Sequence, residues 1–338
     1  LFVVGDPDQT IYSWRGANPQ ILVNFDNVEN TKTVIMNQNY RSTPNILEVA
    51  NTIIARNKLR VDKDLFTENN NGEKVGYKHF NDSKDEAKWI AKSIKQQLKE
   101  HKPKEIVILY RMHYLSRAIE EQLMKEKIPY VIHSGVNFYE RKEIKDILSY
   151  LRVISNPNDD VALQRIINVP TRGIGYRKID ELKKYAELHK CSLWEACNQF
   201  IKLKNPKLND FVMLINYLSS QKNKSIRDLT KLILDKSEYN KMLKKSLEPE
   251  RQENIEELLL SMKDIKDSLD KYLQDIALLT NTDKKDQDKV TLMTVHAAKG
   301  LEFPIVYVIG LSEGQFPSSY SKGNTILEEE ERRLAYVA

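Results

Sequence analysis

The spacing of apolar residues divides the chain into three stretches of different texture. From residue 1 to about 138, short apolar runs typical of strands alternate with helical patterns. From about 139 to 283 the pattern is almost wholly helical, with long amphipathic segments rich in Lys and Glu. Strand patterns return after the polar segment 281–288. This order predicts an α/β fold: a parallel sheet interrupted by a large all-helical insertion.

Individual elements follow from the same patterns. The predicted strands are Leu1–Gly5, Val34–Met36, Ile106–Leu109, Tyr130–Ile132, Val290–Val295 and Pro304–Ile309. A helix is predicted from Pro44, with Thr43 as its N-terminal cap, and another over Leu115–Lys127. Three helices should each bury one apolar face: Ile46, Leu47, Ala50, Ile53 and Ile54; Ile144, Ile147, Leu148, Leu151 and Ile154; Ile255, Leu258, Leu259, Met262 and Ile265. A separate C-terminal sheet domain is the alternative, but about 50 residues are few for one.

Composition narrows the class of protein. Of 338 residues, 41% are apolar and 30% charged, as in a globular protein with a core. No apolar run reaches the roughly 18 residues that span a bilayer, and nothing resembles a signal peptide. We therefore expect a cytoplasmic parent protein and a chain that begins inside a domain. Cys191 and Cys197 match no zinc or redox spacing and should be buried or half-buried free thiols.

Candidate chemistry begins in GDPDQTIYSWRGA, Gly5–Ala17. Gln9 follows an apolar run, where ligands of parallel sheets gather, and its neutral amide can orient water or contact a terminal phosphate. Tyr12, Trp14 and Arg15 interleave two aromatic rings with a cation, the composition of a platform for single-stranded bases.

Three further motifs follow. In QNYRST, Gln38–Thr43, Tyr40 offers a flat ring and Arg41 a fork of donors for a phosphoryl group. In TVHAAKGLEF, Thr294–Phe303, hydroxyl, imidazole, ammonium and carboxylate groups come together, without the second histidine that a metal site would need. EEERRLAYVA, Glu329–Ala338, reads alone as a solvated helix face.

These four motifs, in this order, closely resemble the third to sixth conserved motifs of superfamily 1 DNA helicases of the UvrD/Rep/PcrA type. Tyr139–Pro157 and Ile167–Ile179 are also similar to that family's inserted helical domain. The resemblance implies two RecA-like domains with ATP between them. Residues 1–30 would then be the end of the first RecA-like domain. Residues 31–139 and 284–338 would form the second, and residues 140–283 the inserted helical domain.

The resemblance also implies roles for individual residues. Gln9 matches the glutamine that senses the γ-phosphate and Arg41 the first arginine finger, so these two are the implied catalytic residues. Tyr40, Arg41 and Glu302 match ATP-binding positions. The matches to DNA-binding positions are Tyr12, Trp14, Arg15, His296, Gly173 and Gly175. For the Gly173–Gly175 loop, an ordinary turn between helices stays open. The implied cofactors are ATP and Mg²⁺, and the implied partners are single-stranded and junction DNA, with protein partners possible through the insertion.

The family's Walker A loop, its Walker B acids and its second arginine finger do not occur in these 338 residues. We therefore expect the chain alone to lack ATPase activity and to bind DNA weakly. The expected function of the parent is 3′-to-5′ translocation and unwinding in replication or repair. Three alternatives remain: the helicase half of a helicase–nuclease, a non-enzymatic protein-interaction module, and an unrelated RecA-like ATPase, against which the first and third motifs argue.

Overall fold

A computed structural model describes residues 2–25, 28–133, 136–201, 206–246, 248–280 and 288–338. The strands are β1 (Ile106–Tyr110), β2 (Tyr130–Ile132), β3 (Val290–Thr294) and β4 (Ile305–Val308). The helices are α1 (Pro19–Val23), α2 (Pro44–Ile54), α3 (Ser83–Gln97), α4 (Ser116–Lys125), α5 (Lys142–Ser155), α6 (Asp160–Ile166), α7 (Tyr176–His189), α8 (Leu193–Ile201), α9 (Pro206–Ser220), α10 (Ile226–Lys236), α11 (Tyr239–Lys244), α12 (Glu250–Ser261), α13 (Leu269–Thr280), α14 (Val295–Ala298) and α15 (Thr325–Val337). Within these residues, no helix has the length and apolar character needed to cross a membrane.

The chain separates into two compact units. One, the sheet unit, comprises Leu1–Gly135 and Asp286–Ala338, and the other, the helical unit, comprises Val136–Lys285. The four strands form one parallel sheet in the order β2-β3-β1-β4, so strands from both ends of the sheet unit's sequence alternate. A separate C-terminal sheet domain is therefore not formed, because β3 and β4 both pair with β1.

Both faces of the sheet are covered, as the apolar runs of its strands predict. Successive side chains of a strand point to opposite faces. Ile106, Ile108 and Tyr110 accordingly join the core beneath α3 and α4. Val107 and Leu109 join the opposite core, to which α14 and α15 contribute Val295, Ala298 and Leu334.

Two predicted strands are absent from the described residues. Phe2–Gly5 and Val34–Met36 form no ladder; Phe2, Val4, Val34 and Met36 are well exposed. The extended segment after Val34 makes a single bridge, between Gln38 and Phe66. An apolar pattern favours extended backbone, but a strand also needs a neighbour to accept its hydrogen bonds.

Helix α2 begins at Pro44, with Thr43 at the N-cap position, as predicted. The Thr43 hydroxyl, however, makes no capping bond to the helix. Only Leu47 and Ile54 of the predicted stripe are fully buried, and Ile46 is exposed.

The helical unit has its own core. The stripe of Ile144, Ile147, Leu148, Leu151 and Ile154 on α5 is buried, as predicted. Ile255, Leu258 and Met262 are buried against it, while Leu259 and Ile265 are partly buried. Cys191 is half-buried and Cys197 buried, and both are free thiols as expected. Burial raises the pKa of the Cys197 thiol to about 12, which makes this cysteine a poor nucleophile.

We predict that Val107→Ala destabilises the sheet unit by about 2 kcal/mol, because it removes two methyl groups from a fully buried site on the central strand. Its register partner Val306, on the edge strand β4, is 41% exposed and supplies a matched control. Val306→Ala should cost less than about 1 kcal/mol. Both substitutions are made in a Trp194→Phe chain, whose remaining tryptophans, Trp14 and Trp89, lie in the sheet unit. Urea denaturation followed by tryptophan fluorescence then measures the free energy of unfolding of each variant. Equal losses would contradict the assignment of β1 as the core strand.

Candidate functional site

Four of the candidate DNA-binding side chains lie together in the sheet unit; we call them the stacking cluster: Tyr12, Trp14, Arg15 and His296. The Tyr12 ring meets the Trp14 ring edge-on, with 6.2 Å between centroids, and lies 5.8 Å from the His296 ring. The Arg15 guanidinium lies 4.4 Å from the centroid of the Trp14 ring and 5.5 Å from that of Tyr12. Three aromatic rings, one of them an imidazole, and a cation are thus assembled at one place.

The turn that carries the cluster is locally determined. Ser13–Arg15 form one turn of 3-10 helix, closed by a hydrogen bond from the Gly16 amide to the Ser13 carbonyl. Gly16 has a φ of +88°, a conformation that residues with a side chain adopt at a cost. The turn leaves the Trp14 side chain 67% exposed. The Arg15 guanidinium covers part of the indole, and the rest is open to a flat ligand.

His296 joins the cluster from helix α14. Thr294 caps this helix by accepting a hydrogen bond from the Ala297 amide at 3.3 Å. The Tyr12 hydroxyl donates to the His296 carbonyl at 2.7 Å, which fixes the two segments together. Burial, followed by the nearby Arg111 guanidinium, lowers the pKa of His296 to about 4. The imidazole is therefore neutral at physiological pH.

Lys299 connects the stacking cluster with the segment around Gln9. Its ammonium donates to the Gln9 carbonyl at 2.9 Å and lies 5.6 Å from the centroid of the Tyr12 ring. The Gln9 side-chain amide donates to Asp6 Oδ2 at 2.8 Å, and Lys63 pairs with the other oxygen of Asp6 at 2.6 Å. In this arrangement the Gln9 amide is held by its own turn.

Asp8 lies beside this turn and is fully buried. Arg60 is its ion-pair partner at 3.4 Å. Burial raises the pKa of Asp8, whereas Arg60 and Lys63 oppose that rise. Asp8 therefore serves to hold the segment around Arg60 against the turn that carries Gln9.

The candidate nucleotide residues form a second, exposed group. Arg41 Nε donates to Glu302 Oε2 at 2.9 Å, although the two side chains are 55% and 71% exposed. The Tyr40 ring is also exposed, and its hydroxyl donates to Gln38 at 3.0 Å. The Asn39 side chain accepts from the Arg41 and Ser42 amides, which fixes the turn. The structure thus joins two motifs predicted to bind ATP, separated by 261 positions.

The acidic residues of α15 differ from their predicted character. Glu329, Glu330 and Glu331, which we call the acid triplet, are only 5–7% exposed rather than a solvated face. Each one binds a different segment. Glu329 accepts from the Lys58 and Leu59 amides.

The other two members of the triplet reach in other directions. Glu330 accepts from the amide and hydroxyl of Ser13. Glu331 Oε1 receives two donors of Arg111, at 2.8 and 2.9 Å. Buried carboxylates are stable only with such partners.

The candidate residues Gly173 and Gly175 lie in the helical unit, in a well-held loop before α7. The Asn168 side chain accepts from the amides of Arg172 and Ile174, at 2.8 and 3.2 Å. The Arg172 guanidinium donates to the carbonyls of Ile166 and Pro170.

Gly173 is favoured in this loop by its backbone conformation. Its φ is +74°, which residues with a side chain adopt at a cost, and the Lys207 ammonium lies against its Cα. Gly175 is the N-terminal cap residue of α7. The loop therefore leads from Gly173, beside which the Lys207 ammonium lies, into the N-terminal end of α7, and both features favour anions.

No group of three or more His, Cys, Asp or Glu side chains in the described part of the chain could hold a metal ion. A guanidinium and a flat ring can still hold a nucleotide without one. In the sheet unit, the stacking cluster has the rings and the cation that could bind a base, and Arg41, paired with Glu302, has the donors that could bind a phosphate.

The amino-acid sequence matches the sequence profiles of two known protein domains. The profile of the UvrD-like helicase C-terminal domain matches residues 34–338, and that of the UvrD/REP helicase N-terminal domain matches residues 1–30. The chain belongs to the UvrD-like helicase family. The resemblance seen in the sequence motifs is thereby confirmed.

Named relatives agree with this assignment. The chain is 44% identical, over 362 residues, to the ATP-dependent DNA helicase PcrA of Bacillus subtilis (strain 168). It is 42% identical to PcrA of Staphylococcus epidermidis and 41% identical to PcrA of Staphylococcus aureus (strain MRSA252). In each case all of this chain is covered, but only 49% of the relative. The chain thus spans about half the length of the curated relatives that it matches.

Several residues that shape the site were missed from the sequence. Ser13 lies inside the predicted platform, but only Tyr12, Trp14 and Arg15 were singled out. Asp6 and Lys63 hold Gln9, and Glu330 holds Ser13. The available signal was the run of four acids in α15, Glu328–Glu331, since adjacent carboxylates on one helix cannot all face the same way.

We predict that His296 makes the stability of the sheet unit depend on pH. Its folded-state pKa of about 4 lies below the ordinary 6.5, so the unfolded chain binds the proton more readily. The free energy of unfolding should therefore fall as pH falls from about 6.5 towards 4. In His296→Asn this decrease should be smaller. Urea denaturation between about pH 7 and pH 4.5, in the Trp194→Phe background, measures the difference.

The exposed His79 supplies a control. His79→Asn should keep the wild-type pH dependence, since its side chain is solvated in both states. An unchanged pH dependence in His296→Asn would contradict the burial of the imidazole.

Proposed function

We propose that this chain is part of an ATP-driven motor that moves along single-stranded DNA and separates the duplex ahead of it. The observation that carries the proposal is the stacking cluster, in which residues from two distant motifs meet. Aromatic rings stack on any base, and a cation beside them attracts the phosphate backbone. The names of the relatives, each an ATP-dependent DNA helicase, support the same activity.

The residues present fit a nucleotide. Tyr40 presents an exposed ring that can pack on adenine, and Arg41 presents exposed guanidinium donors beside it. Bound ATP would supply the phosphoanhydride bond whose hydrolysis powers movement. In this proposal Arg41 stabilises charge on the transferring phosphoryl group, and Glu302 orients Arg41 through the pair at 2.9 Å. Gln9 would contact the terminal phosphate with the amide that Asp6 holds.

The described residues do not fit magnesium. Asp6 and Asp8 are engaged by Lys63 and Arg60, and Glu302 is engaged by Arg41. The resemblance assigns the ligands of magnesium to a Walker B segment that these 338 residues do not contain, as they also lack a Walker A loop. We therefore expect no ATP turnover from this chain alone.

The contacts of Lys299 suggest how the two activities are connected. Its ammonium binds the backbone of Gln9 and lies near the ring of Tyr12. A displacement of the turn at Gln9 would therefore move a group that contacts the stacking cluster. Such a connection is what coupling of hydrolysis to movement requires.

The architecture proposed for the chain follows the family. Residues 1–30 complete a first RecA-like domain, residues 31–139 and 284–338 belong to a second, and residues 140–283 form an inserted helical domain. The Gly173–Gly175 loop would bind duplex or junction DNA through amides and Lys207. Protein partners would bind the insertion. Movement from 3′ to 5′, a cytoplasmic location and a role in replication or repair complete the proposal.

We predict that Trp14→Ala weakens binding of short oligo(dT) by this chain roughly tenfold, because stacking of one base contributes about 1–3 kcal/mol. Fluorescence anisotropy at low ionic strength measures the affinity. Trp89→Ala is the matched control, since this tryptophan is partly exposed elsewhere in the sheet unit, against Phe80. Equal losses in both variants would count against the stacking cluster as the DNA site.

A second prediction concerns ATP. In a longer protein that carries this chain together with a Walker A loop, Arg41→Ala should lower DNA-stimulated ATP turnover at least about tenfold, on the scale of a lost arginine finger. Arg56→Ala, at an exposed arginine just after α2, should leave turnover near wild type. Steady-state phosphate release measures both. Near-normal turnover in Arg41→Ala would refute the proposed role of this residue.

A further inference from the structure

The turn that carries the exposed Trp14 and Arg15 side chains is bound from below by one member of the acid triplet, the buried Glu330. Trp14 and Arg15 are exposed, whereas Ser13, between Tyr12 and Trp14, turns inward. The amide of Ser13 donates to Glu330 Oε1 at 3.1 Å, and its hydroxyl donates to Oε2. Both carboxylate oxygens of one buried side chain therefore hold one residue of the turn.

The two contacts add to the backbone bonds that shape the turn. The Tyr12 carbonyl accepts from the Arg15 and Ala17 amides, at 2.9 and 3.1 Å. The bond from the Ser13 amide to Glu330 holds the other side of the same peptide plane, and so restrains the direction of the rings on both sides of Ser13. Hydrogen bonds to a charged acceptor are stronger than neutral ones.

Glu330 is itself held rigidly. Its neighbours in α15 bind other segments of the sheet unit: Glu331 binds Arg111, and Arg333 Nε donates to the Thr10 carbonyl at 2.8 Å. Since Glu330 is 7% exposed, its charge needs the Ser13 donors to offset desolvation. The carboxylate and the turn thus constrain each other.

We propose that Glu330 is a positioning residue for single-stranded DNA, acting through Ser13 to hold the stacking cluster in its binding geometry. This inference rests on the proposed function, because it assumes that Tyr12, Trp14 and Arg15 bind DNA. Glu330 does not touch the bases. Its effect is to keep the turn ordered before DNA arrives, which lowers the entropy lost on binding.

The test compares Glu330→Gln with Glu329→Gln in this chain. Glutamine keeps the size and one acceptor oxygen but loses the charge. Glu329 is similarly buried and adjacent, yet its carboxylate accepts from the Lys58 and Leu59 amides and, among the described residues, has no hydrogen bond to the turn. We expect the Kd for fluorescein-labelled oligo(dT) to rise about fivefold in Glu330→Gln and to stay near wild type in Glu329→Gln.

A spectroscopic measurement separates positioning from general destabilisation. With Trp89→Phe and Trp194→Phe, Trp14 is the remaining tryptophan. Time-resolved anisotropy should show greater local motion of Trp14 in Glu330→Gln, but not in Glu329→Gln. If Glu330→Gln fails to fold, Ser13→Ala removes the hydroxyl contact alone and should raise the Kd about threefold.

The outcomes are distinct. Loss of affinity together with a more mobile Trp14 supports the positioning role. Wild-type affinity in both Glu330→Gln and Ser13→Ala, while Trp14→Ala still weakens binding, overturns this role but not the DNA site. Unchanged affinity in Trp14→Ala overturns the proposed DNA site, and the positioning role with it.

Discussion

The sheet unit depends on three adjacent buried carboxylates in helix α15. Consecutive residues of a helix point about 100° apart, so the acid triplet spreads over more than half of the helix circumference. Each carboxylate consequently meets a different segment: the amides after α2, the turn at Ser13, and Arg111 at the end of β1. None of these segments is close to the others in sequence. One turn of helix therefore joins the turn of the stacking cluster, the segment after α2 and the end of β1.

Buried charges contribute more to geometry than to stability. The free-energy cost of removing a carboxylate from water offsets much of the favourable energy of its hydrogen bonds and ion pairs. Replacing such a buried pair by apolar residues of similar volume therefore often leaves a protein equally stable. Apolar side chains, however, make no directional bonds, so they would not hold the Ser13 peptide or the Arg111 guanidinium in one orientation. The same logic applies to Arg41 and Glu302, whose exposed pair contributes little stability but keeps the guanidinium near one place.

Sequence patterns predicted the central sheet well, because β1 to β4 are short apolar runs with clear ends. They failed at Phe2–Gly5 and Val34–Met36, since an apolar pattern does not reveal whether a hydrogen-bonding neighbour exists. The acid triplet was misjudged because its partners lie 220 to 317 positions away. Composition predicted Tyr12, Trp14 and Arg15 as a stacking platform, whereas His296 was added only through the family resemblance, as no periodicity connects Tyr12 with His296. The run of acids in α15 indicates that some of its carboxylates turn inward, but nothing local to Ser13 or Glu330 identifies the two as partners.

The order of strands in the sheet has a consequence for synthesis on the ribosome. The central strand β1 is flanked by β3 and β4, which follow it by about 180 and 200 positions. Until those residues emerge, β1 has no partner, and the apolar faces of α3 and α4 have no complete sheet to cover. The helical unit can meanwhile fold from contiguous sequence. Sheets with such distant pairings form slowly, so nascent chains of this protein should need chaperones during the interval.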